Sequence, residues 1–177
     1  MMQTVLLTKP DAAELQQRHG AAWFLFAWLP VIIGVGVIAV ESTPTFGGEH
    51  TSAWLRPLFT RIFGAFTDDN WEVVHHLIRK TGHFIGYGLL GLTFLRAWLL
   101  SFARRLQIPR HPWRMRSCFL AVCCTCVVAS ADEFHQTFLP NRTGRIQDVM
   151  IDTVGAAVFQ IILAIVWHFH DRRYDGY

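Results

Sequence analysis

The sequence predicts an all-α integral membrane protein with four transmembrane helices and an interfacial amphipathic helix in the first outer loop. Hydrophobic residues make up 52% of the 177 residues and charged residues only 16%, against roughly 25% charged in soluble globular chains. The apolar residues fall in four long blocks, and a bilayer core requires about 17 to 25 such residues per helix. The length fits a single domain.

The four blocks predict membrane spans at about 23–40, 83–100, 117–137 and 149–169. They form one membrane domain, 23–169, between an N-terminal segment, 1–22, and a short tail, 170–177. A secretory signal peptide is the main alternative for the first block. Because its apolar run is longer than a typical signal core and its leader is only weakly basic, an uncleaved span is the better interpretation. The third block reaches full length only if its helix continues into the polar residues after it.

Lysine and arginine in the connecting segments predict the orientation. Nine lie on the side of the N-terminus and six on the other, and segment 101–116 holds five Arg and no acidic residue. Both termini are therefore expected in the cytoplasm. The net charge of +3 follows from this topology and gives no case for nucleic-acid binding. One tryptophan per span would lie near the inner interface as an aromatic belt: Trp23, Trp98, Trp113 and Trp167.

The first outer loop contains the apolar stripe of an amphipathic helix, in Trp54, Leu55, Leu58, Phe59, Ile62 and Phe63. This helix is expected on the outer membrane surface, and packing over the bundle is the alternative. Capping residues near Asp69 predict that the second span extends outward by several turns. Gly82 and Gly86 form a small-xxx-small pair that would allow another helix to approach closely.

Ionisable side chains gather near the outer ends of three predicted spans. His76, Lys80, His83 and Tyr87 share one face of the second helix. The third helix ends with Asp132, Glu133 and Gln136, and Asp148 and Asp152 begin the fourth, with Asp148 as a possible N-cap. Arg142 and Arg145 lie in the connection between them. Since ionisable groups at membrane depth are costly, we expect them to pair or to face one cavity.

Three blocks carry a resemblance to a known family: "RKTGHFIGYGLLGL", "SADEFHQTFLPNRTG" and "QDVMIDTVGAA". They resemble the signature blocks of the VanZ-like family, bacterial membrane proteins named for a teicoplanin-resistance determinant. The resemblance implies a function in the cell envelope, a location in the bacterial cytoplasmic membrane, and glycopeptide tolerance as the outcome. Asp152 departs from the pattern, because the family usually shows Asn there.

The favoured interpretation is a site for an amphiphilic envelope molecule, either a lipid-linked head group or a lipoglycopeptide such as teicoplanin. The ligand-binding candidates are Lys80, Tyr87, Gln136, Arg142, Arg145, Asp148 and Asp152. A membrane enzyme is an alternative, with His83 and Asp132 or Glu133 as acid and base on a lipid-linked substrate. A polar network that only locks the helices is another. Membrane lipids are the expected partners. A metal site is a lesser alternative, since no typical ligand spacing occurs; its ligands would be His83, Asp132, Glu133 and Asp152. No cofactor is expected.

Overall fold

The computed structural model describes residues 21–103, 110–139 and 144–174. They form five α-helices and one short 3₁₀ helix, with no strand among them: α1 (Ala21–Glu41), the 3₁₀ helix (Pro44–Phe46), α2 (Gly48–Phe63), α3 (Asp68–Ala103), α4 (Arg110–Gln136) and α5 (Ile146–Tyr174). Helices α1, α3, α4 and α5 are each long and apolar enough to cross a membrane. The predicted fold class and the number of spans are therefore confirmed.

Helix α3 is much longer than a membrane span. Its 36 residues correspond to about 54 Å at the rise of an α-helix, against about 30 Å for a hydrocarbon core. It begins with Asp68 and Asp69, whose charges favour a helix N-terminus. The predicted extension of the second span is therefore present. Helix α4 likewise continues into the polar residues up to Gln136, so the third predicted span reaches the length needed to cross a membrane.

The bundle is organised around α3, which contacts α1, α4 and α5. Helices α3 and α5 run parallel and pack most closely, because small residues remove side chains from their interface. A Cβ atom at Gly155 would lie 2.4 Å from the carbonyl oxygen of Phe84, and one at Gly91 would lie 2.8 Å from Cβ of Ala156. No larger residue fits either position unless the helices separate.

The glycine pair singled out from the sequence has a different environment. A Cβ atom at Gly82 or Gly86 would meet no atom within 4 Å. Both residues instead line an open cavity between α1, α2 and α3. The expectation of a close helix contact at this pair was wrong, since i, i+4 spacing does not say which helix, if any, lies opposite.

We refer to the end of the bundle where α1 and α4 finish and α5 begins as the polar end. At the opposite end, three of the predicted belt tryptophans, Trp23, Trp113 and Trp167, are buried in the bundle instead of facing outward. Trp113 donates its indole N–H to the carbonyl of Leu99 at 3.0 Å. Arg114, from the Arg-rich segment, is only 6% exposed, stacks on Trp167 and pairs with Asp171 at 2.5 Å. These residues therefore hold the helices together at this end, whereas the sequence predicted an aromatic belt in contact with the membrane interface.

Helix α2 packs along the start of α3 with its polar side. Ser52 accepts the indole N–H of Trp71 at 2.6 Å, and Arg56 pairs with Asp68 at 2.6 Å. The opposite side carries Trp54, which is 79% exposed, together with the exposed side chains of Leu58, Ile62 and Phe63. The amphipathic helix predicted from the sequence is thus present: much of its apolar stripe is exposed, whereas Phe59 packs against Trp71 of α3.

Candidate functional site

An ion pair joins α3 to α5 at the polar end. The ammonium group of Lys80 contacts a carboxylate oxygen of Asp148, and both side chains are largely buried. Helix α5 begins at Ile146, so Asp148 lies in its first turn and is not the N-cap expected from the sequence. Its charge nevertheless favours this helix end. Lys80, expected to bind a ligand, is therefore neutralised by a residue of the protein.

His83 lies one turn further along α3 and faces Asp152 on α5. Its Nδ1 atom is 3.5 Å from a carboxylate oxygen of Asp152, which is 0% exposed. Neither oxygen of Asp152 has a hydrogen bond to a described residue. His83 itself remains partly exposed and lines the cavities described below. The ion-pair partner of His83 is thus Asp152, whereas the sequence pointed to Asp132 or Glu133.

A second polar group joins α3 to the end of α4. Asp132 accepts hydrogen bonds from the Tyr87 hydroxyl and the Gln136 amide, both at 3.1 Å. Tyr87 and Gln136 are buried, and the Tyr87 ring stacks on His83 with 6.1 Å between the ring centroids. Because Asp132 already has two donors, it orients the side chains around it.

Glu133, also on α4, anchors the connection to α5. Its carboxylate accepts the backbone N–H of Arg145 at 2.7 Å. The preceding residue, Gly144, passes so close that a Cβ atom would lie 2.2 Å from the carbonyl oxygen of Glu133. This contact holds the start of α5 against the end of α4. Arg142, a predicted ligand-binding residue, lies outside the described residues.

Two cavities open beside these residues. A polar cavity of about 380 Å³ is bounded by His83, both members of the Lys80–Asp148 pair, Glu133 and Arg145, and by the first turn of α2. An apolar cavity of about 430 Å³ lies between α1, α2 and α3, with Tyr87 and Asp132 on its inner wall. The two cavities share three lining residues: Arg79, His83 and Gln136. They therefore meet along one wall.

Sequence reasoning missed two parts of this site. Arg79 lines both cavities, although the helical face defined from the sequence ran through its neighbour Lys80. The first turn of α2, including Gly48 and Glu49, lines the polar cavity. A Cβ atom at Gly48 would lie 3.0 Å from a guanidinium nitrogen of Arg79, so the glycine allows this close contact. The two consecutive glycines at the start of α2 were a signal of a close backbone contact there, although not of its partner on α3.

Metal-ligating side chains do not cluster in the described part of the site. Within 21–103, 110–139 and 144–174, no three His, Cys, Asp or Glu side chains lie close enough together to hold one. The described cysteines, all in α4, are free thiols. The polar groups that remain are cations, hydroxyl and amide groups, and paired carboxylates around two adjoining cavities.

These features define a class of protein: a helical integral membrane protein with a polar site at one end of a four-helix bundle. The chain belongs to the VanZ/LLP1 family, whose model matches residues 20–167. The match covers the first three spans, α2, most of the fourth span and the whole of the described site. No curated protein and no solved structure matches the chain significantly.

Proposed function

We propose that the protein binds an amphiphilic molecule of the bacterial cell envelope at the polar end, with glycopeptide tolerance as the outcome. The ligand would be a lipid-linked head group or a lipoglycopeptide such as teicoplanin. The observation that carries this proposal is the shared wall between a polar cavity of about 380 Å³ and an apolar cavity of about 430 Å³. An amphiphile requires two adjoining environments of this kind, because its head group seeks hydrogen bonds and its chain seeks apolar contact.

The proposal includes an orientation. With both termini in the cytoplasm, the polar end faces the outer leaflet of the cytoplasmic membrane, as the distribution of Lys and Arg predicts. The exposed apolar face of α2, formed by Trp54, Leu58 and Ile62, would then lie in the membrane surface. A ligand would enter the apolar cavity from that leaflet, beside α2.

Filling the apolar cavity tests the proposal. Gly86→Leu places a side chain into that cavity, and a Cβ atom there meets nothing within 4 Å, so the helices need not move. We expect this variant to bind teicoplanin at least about tenfold more weakly, because the apolar contact that the new leucine excludes contributes about 1.5 to 3 kcal/mol to binding. The measurement is teicoplanin affinity of the detergent-purified protein, alongside teicoplanin susceptibility of complemented cells.

The matched control is Gly36→Leu. Gly36 lies on α1, lines neither cavity and has the same open surroundings. This variant should keep wild-type affinity and susceptibility. Equal affinity of Gly86→Leu and wild type would contradict the use of the cavity. If the wild type shows no measurable affinity for teicoplanin or for a lipid-linked head group, the proposed binding function is wrong.

A membrane enzyme acting on a lipid-linked phosphate or acyl group is the second candidate. The observation in its favour is the pair of His83 and Asp152, in which a fully buried carboxylate has no other described partner. Asp152 would fix the tautomer of His83 and stabilise its protonated form. His83 could then take a proton from an attacking hydroxyl or water and return it to the leaving oxygen.

His83→Gln separates the two candidates, because glutamine keeps hydrogen-bonding capacity and cannot act as an acid or base. If His83 is the acid–base residue, we expect normal folding and loss of the tolerance phenotype, since such catalysis contributes about 10² to 10⁴-fold. If the protein only binds, the variant should retain much of the phenotype. Teicoplanin susceptibility, expression level and melting temperature are measured together. A phenotype lost only in proportion to folded protein would contradict both functions and support a structural network.

A further inference from the structure

Among the cations of the described residues, Arg79 is the one that borders both cavities and has no charge partner; Lys80 is paired, and Arg145 borders only the polar cavity. Each acidic residue of α4 and α5 on the cavity walls has a partner. Asp132 accepts two hydrogen bonds, Glu133 accepts the Arg145 amide, and Asp148 pairs with Lys80. Arg79, by contrast, has no hydrogen bond or ion pair with any residue in the described ranges, although it lines both cavities.

The guanidinium group of Arg79 is held in place without being neutralised. Its Nη1 atom would lie 3.0 Å from a Cβ atom at Gly48, so the group packs on the backbone at the start of α2. Helix α2 has no side-chain cap, and its first turn borders the same polar cavity. Backbone N–H groups at a helix start add partial positive charge to that wall, and the exposed Glu49 carboxylate in the same turn opposes it. A partly buried cation without a counter-ion favours an anionic ligand.

We propose that Arg79 is the anchor for an anionic head group at the junction of the two cavities, and that the ligand is an amphiphile with a phosphate directly attached to a hydrocarbon chain. This inference rests on the proposed binding function and specifies its ligand class. The phosphate contacts Arg79 from the polar cavity. The chain then enters the apolar cavity past Gly82 and Gly86, whose missing side chains leave that wall open.

The geometry requires the charge to lie next to the chain. Arg79 belongs to both cavity walls, so a head group that contacts it already lies at the opening of the apolar cavity. A guanidinium group can donate two parallel hydrogen bonds to one phosphate. The remaining polar cavity can then hold hydroxyl or amine groups beyond the phosphate through Gln136, Glu133 and His83.

The test measures binding of three probes to the detergent-purified full chain: a long-chain alkyl phosphate, the same alkyl chain with an uncharged glucoside head, and inorganic phosphate. Arg79→Gln should lower affinity for the alkyl phosphate about tenfold or more, since hydrogen bonds to charged groups are among the stronger ones. Affinity for the glucoside probe should change much less, because its head group has no charge for Arg79 to bind. Arg79→Lys should restore part of the loss, because it returns the charge without the paired donors.

Arg61→Gln is the matched control. It removes the same charge from α2, near the same end of the protein, and Arg61 lines neither cavity of the site. Its affinity for the alkyl phosphate should equal that of the wild type. An equal loss in Arg61→Gln and Arg79→Gln would show general attraction to a charged surface and overturn the assignment of Arg79.

The outcomes distinguish this inference from the function on which it rests. Unchanged alkyl phosphate affinity in Arg79→Gln, together with a loss in Gly86→Leu, would overturn the anchor and leave amphiphile binding intact. Inorganic phosphate that binds as tightly as the alkyl phosphate would overturn the ligand class, because the chain would then contribute nothing. If no alkyl probe of either head group binds the wild type, this inference fails, and the proposed function fails with it only if teicoplanin does not bind either.

Discussion

Gly155→Ala is expected to lower the melting temperature of the protein sharply and to disrupt the site. The added Cβ atom would lie 2.4 Å from the carbonyl oxygen of Phe84, and backbone atoms cannot rotate away as a side chain can. Helices α3 and α5 must therefore separate, and overpacking of this kind costs about 1 to 3 kcal/mol, occasionally more. His83 adjoins Phe84 in sequence, and Asp152 lies one turn before Gly155. Separation would therefore also lengthen the distance between His83 and Asp152.

Thermal unfolding in detergent measures this effect, with Gly82→Ala as the matched control. Gly82 lies on α3, and a Cβ atom there meets nothing within 4 Å. The control should melt at the wild-type temperature or above, since replacing glycine by alanine inside a helix favours the helix by about 0.5 to 1 kcal/mol. Equal melting temperatures for the two variants would contradict the close packing of α3 on α5.

Hydropathy and periodicity were sufficient to predict the elements of the fold. The four spans and the extension of α3 each follow from an uninterrupted apolar or helical pattern within one segment, as does the amphipathic α2. The contacts between segments did not follow. Gly82 and Gly86 have the spacing of a packing motif, yet the close contacts occur at Gly91 and Gly155. Residue spacing shows which side chains share a face of a helix. Which residues contact that face depends on how the neighbouring helix is rotated about its own axis, and the spacing does not encode this.

The same limit applies to the site. Helical spacing correctly grouped Lys80, His83 and Tyr87, because all three lie on one helix. Their partners lie on other helices, and the sequence did not assign them. Because α3 and α5 run parallel, successive turns of α3 contact successive turns of α5. Lys80 contacts Asp148, and His83, one turn later, contacts Asp152. Arg79 was missed because its importance depends on α2 packing against it, which no local pattern encodes.

Lys80→Met is expected to destabilise the protein, and so is Asp148→Leu. Each variant leaves one charge of a largely buried pair without its partner; the side chains are only 25% and 21% exposed. Breaking a fully buried pair costs about 3 to 5 kcal/mol, so partial exposure places the expected loss nearer about 2 kcal/mol. Thermal unfolding of the purified single variants measures this loss.

The double variant Lys80→Met with Asp148→Leu decides whether this pair is scaffold or ligand site. A well-packed apolar pair often replaces a buried ion pair without loss of stability, so the double variant should recover most of the stability lost in either single variant. A double variant less stable than both single variants would contradict the pairing. Its affinity for an alkyl phosphate should also stay near that of the wild type, because Asp148 already neutralises Lys80 and Arg79 supplies the anchor. Restored stability with lost affinity would instead assign the anchor to Lys80.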